Sequence, residues 1–109
     1  MARVRKAQER RSARRLTVSH RARLVSELRA DAKLASSYLN AAAEENDRRI
    51  YLTALRTIAE ARGMAKVAKA AGVPRESLYR ALSSSGTPRL STLHAILKAA
   101  GLKLAVERI

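Results

Sequence analysis

Four side chains in the second half of the chain suit the edges of DNA bases. Arg75, Glu76, Tyr79 and Arg80 recur at helical spacing, so they share the outward face of a helix predicted over residues 75–83. Arginine can form two hydrogen bonds with guanine O6 and N7, and arginine or tyrosine can hold backbone phosphates. Glu76 either accepts from a cytosine amine or orders Arg80 through an i,i+4 pair, and the second is favoured. The alternative is that these four side chains contact no DNA and form only the solvent-exposed face of a small helical protein.

The residues before this helix indicate how it is positioned. Ala68, Gly72, Val73 and Leu78 form the pattern Ala-x3-Gly-Val-x4-Leu across two short helices. A small residue lets the helices approach, glycine suits a positive φ in the turn, and the apolar residues are buried. This order is typical of a helix-turn-helix, whose second helix enters the DNA major groove. An alanine-rich helical hairpin could also carry it by chance.

The net charge of the chain agrees with a polyanionic partner. Its 109 residues contain 23 Lys and Arg against 9 Asp and Glu, a formal charge of +14. The excess of positive charge lies in two parts of the chain. Residues 1–23 contain ten charged residues, of which one is acidic, and residues 63–109 contain ten, of which two are acidic. Residues 24–62 carry six charges of each sign. The division predicts a basic arm, a neutral helical region and a basic helix-turn-helix module.

The arm has too few apolar residues to offset the entropy of ordering, so it is predicted to be disordered in isolation. Three interpretations remain open: a solvated tail, a nucleic-acid-binding arm, or an Arg-rich targeting segment. A secretory signal peptide is excluded because no apolar stretch follows the charges. The arm's candidate non-specific contacts are Arg3, Arg5, Lys6, Arg10, Arg11, Arg14 and Arg15.

Composition and periodicity predict an all-α fold of about five helices. Alanine and leucine dominate the apolar residues, and residues 1–62 contain no glycine or proline. Amphipathic stripes predict helices beginning after Asp31 and Asp47, with a stop at Gly63. The C-terminal tail instead alternates, which predicts a short β-strand that a second copy of the chain could pair with. The residues of that dimer strand are Leu102, Leu104 and Val106.

Enzymatic and metal-binding functions lack the necessary residues. The chain has no cysteine, which excludes disulfides, thiolate metal sites and cysteine nucleophiles. His20 and His94 have no second ligand at metal spacing, and Glu44 and Glu45 point about 100° apart on a helix. No Gly-rich phosphate loop and no membrane-length apolar run is present. We therefore expect no enzyme activity, no cofactor, no metal and no membrane partner.

From about residue 28 to 106 the chain resembles the HigA-like addiction module antidotes, which carry a Cro/repressor-type (Xre) helix-turn-helix. The family commonly has Asn where this chain has Thr87, and both can bond a phosphate. The arm is longer and richer in arginine than the family pattern. The matching stretches are residues 38–42, 52–56, 61–64, 75–83, 86–89 and 102–106.

The resemblance implies a repressor-type bundle acting as the antitoxin of a bacterial type II toxin–antitoxin system. Such a cytoplasmic homodimer would bind a palindromic operator in double-stranded DNA, repress its own operon and neutralise a RelE/HigB-like ribonuclease toxin. Residues 24–62, which are helical and carry no net charge, are the candidate toxin-binding surface, with the alternative that the same faces only close the core. The alternatives are a stand-alone helix-turn-helix regulator and a non-specific nucleic-acid-binding protein driven by the arm. Carried over by position, the resemblance assigns Arg75, Glu76, Tyr79 and Arg80 to the major groove. It assigns the DNA phosphate contacts to Lys66, Thr87 and Arg89, with Ser84 or alternatively Ser85.

Overall fold

The computed structural model describes residues 19–109, and in this range six α-helices and no β-strand are formed. The prediction of an all-α fold is therefore confirmed, with six helices where about five were expected. In chain order they are α1 (residues 19–30), α2 (Ala32–Glu44), α3 (Arg48–Arg62), α4 (Met64–Ala71), α5 (Arg75–Ala81) and α6 (Leu90–Ala99).

Two aspartates begin helices as expected. The Asp31 carboxylate accepts from the backbone N–H groups of Lys33 at 2.9 Å and Leu34 at 3.2 Å. Asp47 accepts in the same way from the Arg49 N–H at 2.9 Å. These bonds satisfy backbone donors that have no partner within the first helical turn. The caps therefore determine where α2 and α3 begin.

The core is built from leucine, isoleucine, valine, alanine and Met64, and contains no Phe or Trp because the chain has none. α4 lies at the centre, where it packs against α3, α5 and α6, while α2 packs against α3. α5 rests mainly on α4, so its opposite face is left toward solvent. The largest fully buried side chains include Leu28, Leu55, Ile58, Val67, Leu78, Leu82 and Ile96.

The prediction of a C-terminal β-strand is wrong for the single chain. Residues 102–109 carry no regular secondary structure, because no other strand in residues 19–109 can share hydrogen bonds with them. Leu102 packs against the core, whereas Leu104 and Val106 are 47% and 95% exposed. The segment borders a groove that Tyr51 also lines, and burial raises the pKa of the Tyr51 hydroxyl.

The basic arm is described only at its end. Residues 19–23, which the charge division places in the arm, belong to α1. None of the helices within residues 19–109 combines the length and the apolar character needed to cross a membrane. The seven candidate arm contacts, Arg3, Arg5, Lys6, Arg10, Arg11, Arg14 and Arg15, lie outside the described residues.

Candidate nucleic-acid interface

A three-residue turn separates α4 from α5. Gly72 has a left-handed backbone conformation with φ of 69°, which is unfavourable for residues that carry a Cβ atom. Its N–H bonds to the Lys69 carbonyl at 3.2 Å, and the Val73 N–H bonds to the Ala68 carbonyl at 3.0 Å. Pro74 then precedes the first residue of α5. The turn thus ends one short helix and begins the next, as the Ala-x3-Gly-Val pattern predicts.

α5 has an inner apolar face and an outer polar face. Leu78 within α5 and Leu82 just after it are 0% and 2% exposed. Arg75, Glu76 and Arg80 are exposed, and Tyr79 is half-buried. The outer face therefore brings together all four candidate base contacts.

The favoured role of Glu76 is not confirmed. Among residues 19–109, no ion pair joins the Glu76 carboxylate to the Arg80 guanidinium. Glu76 lies in the first turn of α5, where its negative charge interacts favourably with the helix dipole. Arg80 is therefore not held by its neighbour one turn earlier.

Two guanidinium groups lie over the Tyr79 ring, and the sequence reasoning missed one of them. The Arg75 Cζ is 5.6 Å from the ring centroid, and its Nη2 is 3.4 Å from the Tyr79 hydroxyl. The Arg56 Cζ, from α3, is also 5.6 Å from the ring centroid. Glu60 then accepts from Arg56 Nε at 3.1 Å and from Arg21 Nη2 at 2.6 Å. The spacing of Arg56 and Glu60 is visible in the sequence, but their proximity to Tyr79 and Arg21 is not.

The loop after α5 closes tightly on the end of that helix. Gly86 is buried, its N–H bonds to the Ser83 carbonyl at 2.9 Å, and its carbonyl accepts from Arg48 Nη2 of α3. Ser83 in turn donates to the Arg80 carbonyl at 2.7 Å. Arg48 is thus a second arginine of α3 that sequence reasoning missed. It holds the loop that presents Thr87 and Arg89.

A concave site of about 420 Å³ lies between α5 and this loop. Its lining includes Arg80 and several residues with hydroxyl groups, and arginine and hydroxyl side chains are common phosphate contacts in protein–DNA complexes. Thr87 belongs to this lining, but Ser84 does not. Ser84, Lys66 of α4 and Arg89, the residue before α6, are exposed outside it. The hydroxyl residues of the lining are Ser77, Ser83, Ser85 and Thr87.

Within residues 19–109, no three His, Asp or Glu residues lie close enough together to hold a metal ion. The outer face of α5 presents cationic, aromatic and carboxylate side chains, and the loop beside it adds hydroxyl groups.

The sequence model of the family described as "Probable addiction module antidote protein" matches residues 20–108. The chain belongs to this antidote family. A similar protein, an uncharacterized protein of Haemophilus influenzae, is 41% identical over 71 residues, which are 65% of this chain and 73% of that protein. No solved structure matches the antidote.

An antidote acts on a cognate toxin, so membership in the family implies a protein partner as well. The antidote has a second concave surface between α2 and α3, with a volume of about 640 Å³. Its lining includes the apolar Ile50, which is 41% exposed, and the charged residues Glu45, Asp47 and Arg49. We call this surface the α2–α3 groove. It lies within the electrically neutral part of the chain.

Proposed function

We propose that the antidote is a HigA-like, repressor-type antitoxin that reads DNA with α5 and represses its own operon. The observation that supports this most directly is the α4–turn–α5 unit, whose second helix presents arginine and tyrosine side chains outward beside a concave site lined by hydroxyl residues. In a helix-turn-helix the second helix lies in the major groove. The unit belongs to the C-terminal module, which has a large basic excess.

In this proposal the residues divide by the part of DNA that they contact. Arg75 and Arg80 pair with guanine edges, and the Tyr79 ring and Glu76 contact neighbouring bases. Contacts to the DNA phosphates set the register of α5 on the duplex but do not distinguish one base sequence from another. They would come from Lys66, Ser84, Thr87 and Arg89.

The antidote would bind as a homodimer in the cytoplasm of a bacterium. Two copies related by a two-fold axis place their α5 helices about 34 Å apart, which matches successive half-sites of a palindromic operator. The exposed Leu104 and Val106 supply apolar surface for a second copy to cover. Native gel electrophoresis or light scattering, each of which reports the molecular mass in solution, tests whether the antidote is a dimer.

Arg80→Ala is expected to weaken binding to the DNA upstream of the antidote's reading frame by about 1–3 kcal/mol and to relax base preference at one position. The reason is the loss of a bidentate guanine contact. Fluorescence anisotropy with matched and single-substituted duplexes measures both effects. Lys98→Ala is the control, because it removes one positive charge from α6, outside the proposed interface.

The outcome separates the proposal from its alternatives. Unchanged affinity and base preference in Arg80→Ala would exclude α5 as the reading helix. A steep salt dependence with no preference among duplexes would favour non-specific nucleic-acid binding. Specific binding without any toxin encoded beside the antidote would favour a stand-alone regulator.

We further propose that the α2–α3 groove binds the toxin, a RelE/HigB-like ribonuclease. An exposed apolar side chain in a concave site is the kind of residue that carries much of an interface's energy. Ile50 is such a residue, and the lining charges of both signs favour a specific orientation of the bound toxin.

Ile50→Asp is expected to weaken toxin binding by about 2 kcal/mol or more and to abolish the rescue of growth during toxin expression. Co-expression with the neighbouring toxin frame, followed by co-purification, measures this. Leu90→Asp is the matched control, since Leu90 is 61% exposed on α6 and lies outside the groove. If Ile50→Asp still rescued growth fully, the groove would be refuted as the toxin site. Equal loss of toxin binding in Ile50→Asp and Leu90→Asp would refute it as well. Arg80→Ala should still rescue growth.

A further inference from the structure

We propose that Arg56 and Glu60 of α3 are positioning residues for DNA reading, because they hold the Tyr79 ring in a set orientation on α5. This inference rests on the proposed function and names two residues outside the helix-turn-helix that determine its specificity. The connection runs from Arg21 of α1 through Glu60 and Arg56 to Tyr79.

The Tyr79 ring is held by two guanidinium groups rather than one. Arg75 belongs to the same helix and follows any movement of α5, whereas Arg56 belongs to α3 and is an independent reference point. Both Cζ atoms are 5.6 Å from the ring centroid, which lies within the range of cation–π attraction. A half-buried tyrosine held in this way loses rotamer freedom before DNA arrives, and pre-organisation of this kind favours binding.

Glu60 has the wrong charge for a DNA-contacting surface. Its carboxylate would repel phosphates, yet it lies one turn of α3 from Arg56 and within reach of Arg21. Its side chain is only 26% exposed, and each carboxylate oxygen accepts from a different guanidinium. Two ion pairs on one partly shielded carboxylate order Arg56 better than an isolated surface pair would. Glu60 therefore acts on Tyr79 through Arg56.

A purely electrostatic role for the same residues makes the opposite prediction. Glu60→Gln raises the positive charge of the protein, so it should strengthen binding to every duplex if charge alone matters. If Glu60 positions Arg56, the same change weakens binding to the preferred sequence while leaving or improving binding to a scrambled one. The sign of the effect on the two duplexes therefore distinguishes the roles.

The experiment uses the full chain and a duplex that the wild-type protein selects from a random-sequence library, with a scrambled duplex of equal length. Arg56→Gln and Glu60→Gln are each expected to weaken binding to the selected duplex about two- to fivefold. Lys98→Gln is the control: it removes the same charge as Arg56→Gln, from an exposed side chain of α6 that lies outside both proposed interfaces. It should affect both duplexes equally.

A double-mutant comparison tests whether Arg56 acts through Tyr79. Adding Arg56→Gln to Tyr79→Ala should cause no further loss of affinity, since the positioned ring is already absent. Additive losses, with a flatter salt dependence, would show that Arg56 contacts phosphate by itself and would overturn the inference.

Nuclear magnetic resonance of the free protein provides a readout independent of DNA. The Tyr79 ring resonances should shift in Arg56→Gln and Glu60→Gln but remain in place in Lys98→Gln. Unchanged Tyr79 resonances, or tighter binding of Glu60→Gln to both duplexes, would overturn the inference. If the wild-type protein selects no sequence, the proposed function and this inference both fail. If a sequence is selected and Arg80→Ala loses it while Arg56→Gln and Glu60→Gln keep it, only this inference fails.

Discussion

Gly86→Ala is expected to lower the free energy of unfolding by about 3 kcal/mol and to abolish specific DNA binding. A Cβ at Gly86 would lie against the carbonyl oxygen of Ala81 and 2.5 Å from the carbonyl oxygen of Arg80. These are backbone atoms at the end of α5, so they cannot move aside as a flexible side chain would. The loop that carries Thr87 and Arg89 must shift instead, which would also disturb the bond from Arg48 to the Gly86 carbonyl.

Urea unfolding followed by circular dichroism measures the stability loss of Gly86→Ala, and anisotropy measures DNA binding. Gly72→Ala is the control, because a Cβ there meets nothing within 4 Å and only the left-handed φ of 69° opposes it. We expect Gly72→Ala to lower the free energy of unfolding by about 1 kcal/mol. If Gly86→Ala were no more destabilising than Gly72→Ala, the result would contradict the close contact between Gly86 and the last carbonyl groups of α5.

Leu78→Ala is expected to lower the free energy of unfolding by about 4 kcal/mol. Leu78 is 0% exposed and is the one residue within the bounds of α5 that is buried. Its truncation removes apolar contacts and leaves a cavity that the neighbouring helices fill only in part. Because a domain of this size is stable by about 5–15 kcal/mol, the loss is a large fraction of the total.

The same denaturant titration measures Leu78→Ala, with Leu90→Ala as the control. Leu90 is 61% exposed, so its truncation should change stability by less than about 0.5 kcal/mol. A loss below about 1 kcal/mol in Leu78→Ala would contradict the role of Leu78 as the anchor of α5. Retained stability with lost DNA binding would instead indicate that α5 moves on α4 without unfolding.

Helix boundaries were predictable where they depend on local chemistry. Asp31 and Asp47 cap their own helices through bonds to residues two or three positions away, and Gly72 turns the chain through its own φ. A signal of this kind is complete within a few residues, so it can be recognised before any tertiary contact is known.

The C-terminal segment shows where local reasoning fails. The alternation of Leu102, Leu104 and Val106 is a local pattern, but a strand exists only when another strand accepts its hydrogen bonds. Within residues 19–109 none does. The i,i+4 spacing of Glu76 and Arg80 was likewise necessary for an ion pair but not sufficient.

By itself, the sequence determined the helical class, the caps, the glycine turn and the four outward side chains of α5. It also determined the uneven charge, because composition and spacing are properties of the chain alone. Only the tertiary structure decided that Arg56 meets Tyr79, that Arg48 holds the Gly86 carbonyl and that Arg21 meets Glu60. The physical reason is distance along the chain: these partners lie more than 20 residues apart, and only the packing of the helices on α3 and α4 brings them together.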